Sequence, residues 1–91
     1  MDKNELAKII TDVIFGNFST VKASYEEDDK NGLVDKVIAV VDSIDNIDTN
    51  ELSTIITEVV WSDFDAIEVL YVSDDKEGLE DEIYEVLENM D

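Results

Sequence analysis

The chain contains no cysteine, no histidine and no arginine, and only three glycines in 91 residues. Without cysteine there is no disulfide frame and no thiolate site. Without histidine, cysteine and arginine, nucleophilic triads and most general-base schemes lack their parts. A pair of carboxylates alone hydrolyses glycosides only in a deep cleft with one raised pKa, and a domain this small rarely forms one. The expectation is a protein that is not an enzyme and carries no cofactor. No apolar run approaches the roughly 18 residues of a membrane span. The N-terminus carries Asp2 and Glu5 in place of an apolar signal core, so a cytoplasmic location is expected.

Cations are equally scarce. Six lysines face 25 aspartates and glutamates, for a formal net charge of −19. The apolar fraction of 44% is nevertheless ordinary for a globular protein, so the charge does not imply disorder. The length predicts one domain, residues 1–91, with a single modest core. Ten acids and five lysines give residues 1–45 a charge of −5, whereas fifteen acids and one lysine give residues 46–91 a charge of −14. Such a surface repels nucleic acid and anionic membrane and attracts basic proteins. It also destabilises the fold by self-repulsion, so the acids call for an explanation.

The second half of the chain repeats the first at an offset of 46, with repeats at 2–45 and 48–91. Asp2-Lys3-Asn4-Glu5-Leu6 falls on Asp48-Thr49-Asn50-Glu51-Leu52, and Asp28-Asp29-Lys30 on Asp74-Asp75-Lys76. Eighteen of the 44 paired positions are identical. The apolar periodicity is kept while the surface turns acidic: Ser19 becomes Asp65, Lys22 becomes Glu68, Lys36 becomes Glu82 and Ala39 becomes Glu85. Repeats of this size are marginal alone, so the halves are expected to share a core.

Each repeat opens on Asp-x-x-Glu, a helix-start signal. Leu6, Ile9, Ile10, Val13 and Ile14 then follow helical spacing, as do Leu52, Ile55, Ile56, Val59 and Val60. Gly16-Asn17 and Ser62-Asp63 predict breaks. The third element carries the stripe Leu33, Val37, Val40, Val41 and Ile44, copied as Leu79, Ile83, Val86, Leu87 and Met90. The middle segments fit a helix through Phe18, Val21 and Tyr25 and through Phe64, Ile67 and Tyr71, but they also alternate like strands. The predicted fold class is all-α, six short helices arranged as two tandem three-helix repeats. The alternative is α+β, two α-β-α repeats joined by a two-stranded sheet. Val34 and Ile38 form a second apolar face without a copy, as do Leu70 and Val72. These faces either bury one another or make a homodimer contact.

Two short motifs bear on specific chemistry. Asp28-Asp29-Lys30-Asn31-Gly32 lacks the alternating ligands of a calcium loop, so no metal site is expected. Asp42-Ser43-Ile44-Asp45 resembles the phosphopantetheine segment of acyl carrier proteins, but Ser43 ends a predicted helix where that family's serine begins one, and its copy is Asn89.

The acidic run is the remaining candidate. Glu77, Asp81, Glu85 and Glu88 step by four, four and three along the last helix, widened by Glu80 and Glu82 and preceded by Asp74 and Asp75. Asp63, Asp65 and Glu68 extend the row on the neighbouring element, and Tyr84 is the aromatic anchor among them. Trp61 matches Phe15 and reads as core. Ordinary solvated helices mix charge signs, and like charges at this spacing destabilise. The pattern therefore predicts a nucleic-acid mimic whose carboxylates stand in for phosphates and block the basic groove of a DNA- or RNA-binding enzyme. In size and charge it is similar to small phage inhibitors of restriction, CRISPR and repair nucleases. Leu70-Tyr71-Val72-Ser73-Asp74-Asp75, running into Gly78-Leu79, resembles the tyrosine-containing acidic turn of colicin-type nuclease immunity proteins. That resemblance implies the alternative, an immunity protein or antitoxin that neutralises a cationic toxin.

Overall fold

Asp2 and Asp48 each start a helix. The Asp2 carboxylate accepts the Glu5 N–H at 2.8 Å, and that of Asp48 accepts the N–H groups of Asn50 and Glu51 at 3.0 and 3.3 Å. Both satisfy backbone donors that a helix leaves open at its start. In the computed structural model, which describes residues 2–42 and 48–90, five helices follow: α1 (Lys3–Gly16), α2 (Phe18–Glu26), α3 (Lys30–Val41), α4 (Thr49–Val72) and α5 (Lys76–Asn89). The fold is all-α, and no strand forms among the described residues. Ser43, Ile44 and Asp45 lie outside them.

The periodicity predicts six helices, and the count is five because the expected break at Ser62-Asp63 does not separate two helices. It is a kink inside α4, where Asp63 takes φ −141° and ψ 27°. Asn17, its partner in the repeat, takes φ −138° and ψ 29° and does separate α1 from α2. The backbone turn is the same in both places. Ser62 replaces Gly16 there, and its hydroxyl donates to the Glu58 carbonyl at 2.8 Å. The middle segments are helical for a reason visible in their exposure. A strand would turn Ile67, Val69 and Tyr71 to one side, yet Ile67 is fully buried and Val69 is 63% exposed.

Asp28 and Asp74 end α2 and α4 in the left-handed region, at φ 56° and 57°. The N–H of the next residue reaches back to close each end, Asp29 to Ser24 O at 2.9 Å and Asp75 to Leu70 O at 3.0 Å. Asp29 and Asp75 then cap the following helices by accepting the N–H of Gly32 and Gly78 at 3.0 and 2.9 Å.

The two halves interlock. α1 lies along α5, and α3 lies along the first part of α4, so each half's opening helix packs on the other's closing helix. One core joins them, built from Ile10, Ile14, Val21, Leu33, Ile56, Val60, Ile67, Leu79 and Ile83 among others. Six aromatic rings run through it. Phe15 meets Tyr71 edge-on at 5.1 Å, Tyr71 stacks on Phe18 at 4.1 Å, and Phe18 faces Phe64 at 6.0 Å. Phe64 stacks on Tyr25 at 4.2 Å, and Tyr25 meets Trp61 edge-on at 5.2 Å. Read from either end, the ladder has the same geometry. Two ion pairs obey the same rule: Lys30 to Glu58 at 2.7 Å and Lys76 to Asp12 at 2.8 Å occupy matching positions.

The unmatched apolar faces do not bury one another as expected. Val34 and Ile38 are half-buried, and Val34 O accepts the hydroxyl of Ser53 on α4 at 2.6 Å. Val72 remains 74% exposed. Val40 and Met90, assigned to core stripes by their spacing, are 39% and 43% exposed: Val40 lines the surface between α2 and α3 while its neighbour Val41 is fully buried, and Met90 is the capping residue just past the end of α5.

Candidate functional site

α5 is the most acidic helix, and its three sides differ. Leu79, Ile83 and Leu87 face the core. Glu77, Asp81, Glu85 and Glu88 are exposed along the outer edge. Glu80 and Tyr84 flank this ridge on the α1 side, and Glu82 and Val86 on the α4 side; all four are half-buried. With a rise of about 1.5 Å per residue, the helix presents its ridge over about 17 Å. Its one cation, Lys76, is turned away to Asp12 on α1, so no lysine within α5 relieves the ridge.

Each flank is a cleft. On the α1 side, Asn4 and Ala7 face Glu80, Asp81, Tyr84 and Glu88 around about 320 Å³. Tyr84 is not the exposed anchor suggested by its replacement of Ile38; it is packed against the core and forms a wall of this cleft. On the α4 side, Ser62 and Asp63 face Glu82, Glu85, Val86 and Met90 around about 340 Å³. Glu85 lines both clefts and marks the crest between them.

The second cleft holds an unusual pair. The kink turns the Asp63 carboxylate inward, where its Oδ2 is buried without a hydrogen-bond donor. Glu82 stands beside it. The carboxyl of Glu82 is pushed above the usual carboxylate range, first by hydrogen bonding of its protonated form to Asp63, then by burial and by repulsion from the Asp63 charge. In the first repeat these positions hold Asn17, whose Nδ2 donates to Val13 O at 2.9 Å, and Lys36, whose ammonium donates to Ser24 Oγ at 3.2 Å. A neutral amide and an ammonium have become two acids.

The other expected site residues divide. Asp65 and Asp74 are exposed, Asp74 at the left-handed turn. Asp75 is committed to capping α5, although its residue remains exposed. Glu68 does not join the row: it is held by Lys22 at 2.9 Å, and that hydrogen bond, followed by the Glu68 charge, raises the Lys22 pKa. Sequence spacing cannot show this contact, because the two residues belong to different repeats. Tyr71, the tyrosine of the immunity-like segment, lies half-buried between Phe15 and Phe18. The periodicity places Val86 and Met90 on a core stripe and Ser62 at a break, not in a cleft, and gives Asn4 and Ala7 no place in a site. Their only signal is the pairing of α1 and α4 with α5.

Among the described residues no helix is long and apolar enough to cross a membrane, and no group of three or more acidic side chains is placed to hold a metal ion. No protein family, curated protein or solved structure matches the chain.

Proposed function

We propose that this protein is a nucleic-acid mimic that inhibits a DNA- or RNA-handling enzyme, such as a restriction, CRISPR or repair nuclease, by occupying its basic groove. The observation that carries this reading is the ridge Glu77, Asp81, Glu85 and Glu88, exposed along one edge of α5, a helix whose one lysine is paired with Asp12 on α1. Neighbours on such a row lie about 5–6 Å apart. A ridge of about 17 Å covers the axial run of about five phosphates of one DNA strand, at about 3.4 Å each. Lysine and arginine side chains arranged to grip a phosphate row therefore find a comparable row of anions. The ridge stands on what we read as a duplicated three-helix unit, with α4 counted as two helices about Asp63. The interlocked halves and shared core make that support stiff, which limits the ordering cost of binding.

Charge steering makes capture fast and salt-sensitive. The binding partner is a basic protein, and catalysis has no part in the mechanism. The experiment is inhibition of a panel of purified nucleases, with duplex DNA as competitor and salt as a variable. DNA is expected to displace the protein, and added salt to weaken inhibition steeply. Glu77→Gln, Asp81→Asn, Glu85→Gln and Glu88→Gln together are expected to weaken inhibition by about tenfold or more, without loss of helix content. Inhibition that persists unchanged in high salt, or that DNA cannot compete away, refutes mimicry.

A further inference from the structure

The cleft between the α4 kink and the end of α5 has a counterpart in the first repeat, and comparison of the two indicates what it takes. The counterpart runs between α2 and α3, with a volume of about 500 Å³ and a lining that includes Asn17, Ala23, Lys36, Ala39 and Val40. No described residue lining it is a carboxylate. Its cation is internal, the Lys36 ammonium resting on Ser24. In the second repeat the same frame has lost that cation and gained Asp63, Glu82 and Glu85. Asp63 Oδ2 is buried there with no donor.

The surroundings are unusually apolar for so acidic a surface. Met90 lines the cleft at 43% exposure, beside half-buried Val86. Farther along α4, Val69 and Val72 are 63% and 74% exposed, and with Asp65 they step by four and three along one stripe. Three of the four large apolar side chains exposed among the described residues therefore belong to α4 and α5, the fourth being Val40 on α3.

We propose that the cleft receives an amphipathic basic segment of the partner protein, with one Lys or Arg head seated between Asp63 and Glu82 and its apolar neighbours covering Val86, Met90 and Val69. This rests on the mimic reading and adds that recognition on this flank is not by charge alone. The supporting argument is complementarity. The first repeat has an amide and a lysine, Asn17 and Lys36, where this cleft has two acids, so a cation from outside returns to the frame the positive charge it lost. A charged donor also satisfies the buried Asp63 oxygen, and such hydrogen bonds are stronger than neutral ones. Apolar cover lowers the local dielectric and strengthens them further. A second copy of the chain is a poor occupant, since it brings acids against acids at a net charge of −19 per chain.

The test uses two synthetic helical peptides of about 18 residues with equal lysine content, one with leucines along one face and one with serines there. Binding to the full chain is measured by calorimetry at about 0.15 M salt. The leucine peptide is expected to bind about tenfold more tightly than the serine peptide, a difference of about 1.4 kcal/mol. Val69→Ser with Met90→Ser is expected to erase that preference and leave serine-peptide binding unchanged. Asp63→Asn with Glu82→Gln is expected to weaken both. Equal affinity for the two peptides, or no binding of either, overturns the proposal, as does sedimentation showing that the chain pairs with itself through Val69 and Met90. The mimic reading is judged separately, by DNA competition at the target enzyme.

Discussion

Lys22 and Glu68 occupy the same position in the two repeats, yet they meet at 2.9 Å. Equivalent residues of two interlocked halves touch only near the axis that relates them, and Phe18 and Phe64 do the same at 6.0 Å. The change of Lys22 to Glu68 is therefore more than acidic drift, because it places opposite charges at the centre of a pseudo-symmetric molecule. Lys22→Glu sets two glutamates there and is expected to lower Tm, and Glu68→Lys sets two lysines there. The double exchange keeps the net charge at −19 and is expected to recover most of the Tm lost in Lys22→Glu. Thermal melts of the four proteins measure the coupling directly. Folding raises the Lys22 pKa from 10.5, so this contribution is full below the unfolded lysine value and lost as pH rises through the folded one.

The Asp63–Glu82 pair should behave in the opposite sense to a salt bridge. Asp63→Asn restores the residue found at position 17, whose side-chain N–H donates to a backbone carbonyl, and removes a buried oxygen without a donor. It is expected to stabilise the fold by about 1 kcal/mol in chemical denaturation. The pH dependence follows from the raised Glu82 pKa. Its stabilising contribution is full below the unfolded carboxylate value and lost as pH rises through the folded value. Mild acidification from neutral should thus help the wild type more than Glu82→Gln. An identical pH response in the two proteins contradicts the pairing. Glu85 lines the same cleft, so Glu85→Gln is the control for its nearby charge.

Local signals in the sequence fixed the helix starts well. The Asp-x-x-Glu openings cap helices at Asp2 and Asp48, and the periodicity identified Ile10, Ile14, Ile56 and Val60 as core. Trp61, read as core from its match to Phe15, is only half-buried, packed against the core beside Tyr25. The long-range pairing was not legible. Nothing in the spacing of α1 indicates that it lies on α5, and so the clefts, the Lys22–Glu68 contact and the burial of Tyr84 were all out of reach. The acidic ridge itself was legible because helical periodicity alone sets which acids share an edge. The kink at Asp63 was seen as a break, since one residue with the same backbone angles either divides or bends a helix according to its neighbours.

Gly32 and Gly78 illustrate a case in which the sign of a substitution depends on a neighbour. A Cβ on either would fall within the carboxylate of Asp29 or Asp75, which caps the helix at that point. Gly32→Ala is therefore expected to expel the cap, whose loss of up to about 2 kcal/mol outweighs the helix-propensity gain of about 1 kcal/mol and leaves a net cost. After Asp29→Ala the obstacle and the cap are both gone. Gly32→Ala in that background is expected to stabilise by about 1 kcal/mol through helix propensity. Denaturant midpoints of the double-mutant cycle check the reversal, and the same cycle at Asp75 and Gly78 should match it.

Asp28 and Asp74 sit at φ 56° and 57°, a region that costs most side chains about 1–2 kcal/mol and glycine almost nothing. Asp28→Gly and Asp74→Gly are each expected to raise stability by about 1 kcal/mol, and each also removes one negative charge. Asn at the same positions separates the two effects, since it removes the charge but keeps a side chain. Comparing the double variant with the sum of the two single changes then tests whether the sites are independent.

The aromatic ladder tests whether the halves fold as one unit. Trp61 is the only tryptophan and lies at one end of it, beside Tyr25, while Phe15 and Tyr71 lie at the other. Phe18 stands in the middle, against both Tyr71 and Phe64. Phe18→Ala opens a cavity at that junction and is expected to cost about 3–5 kcal/mol, much of the stability of a domain this size. Tyr71→Leu removes a ring from the far end with less loss of volume. Helix content by circular dichroism and Trp61 fluorescence should still melt together in Tyr71→Leu, at a lower temperature than in the wild type. If the fluorescence transition stays at the wild-type temperature while half the helix signal is lost earlier, the repeats unfold separately and the ladder does not couple them.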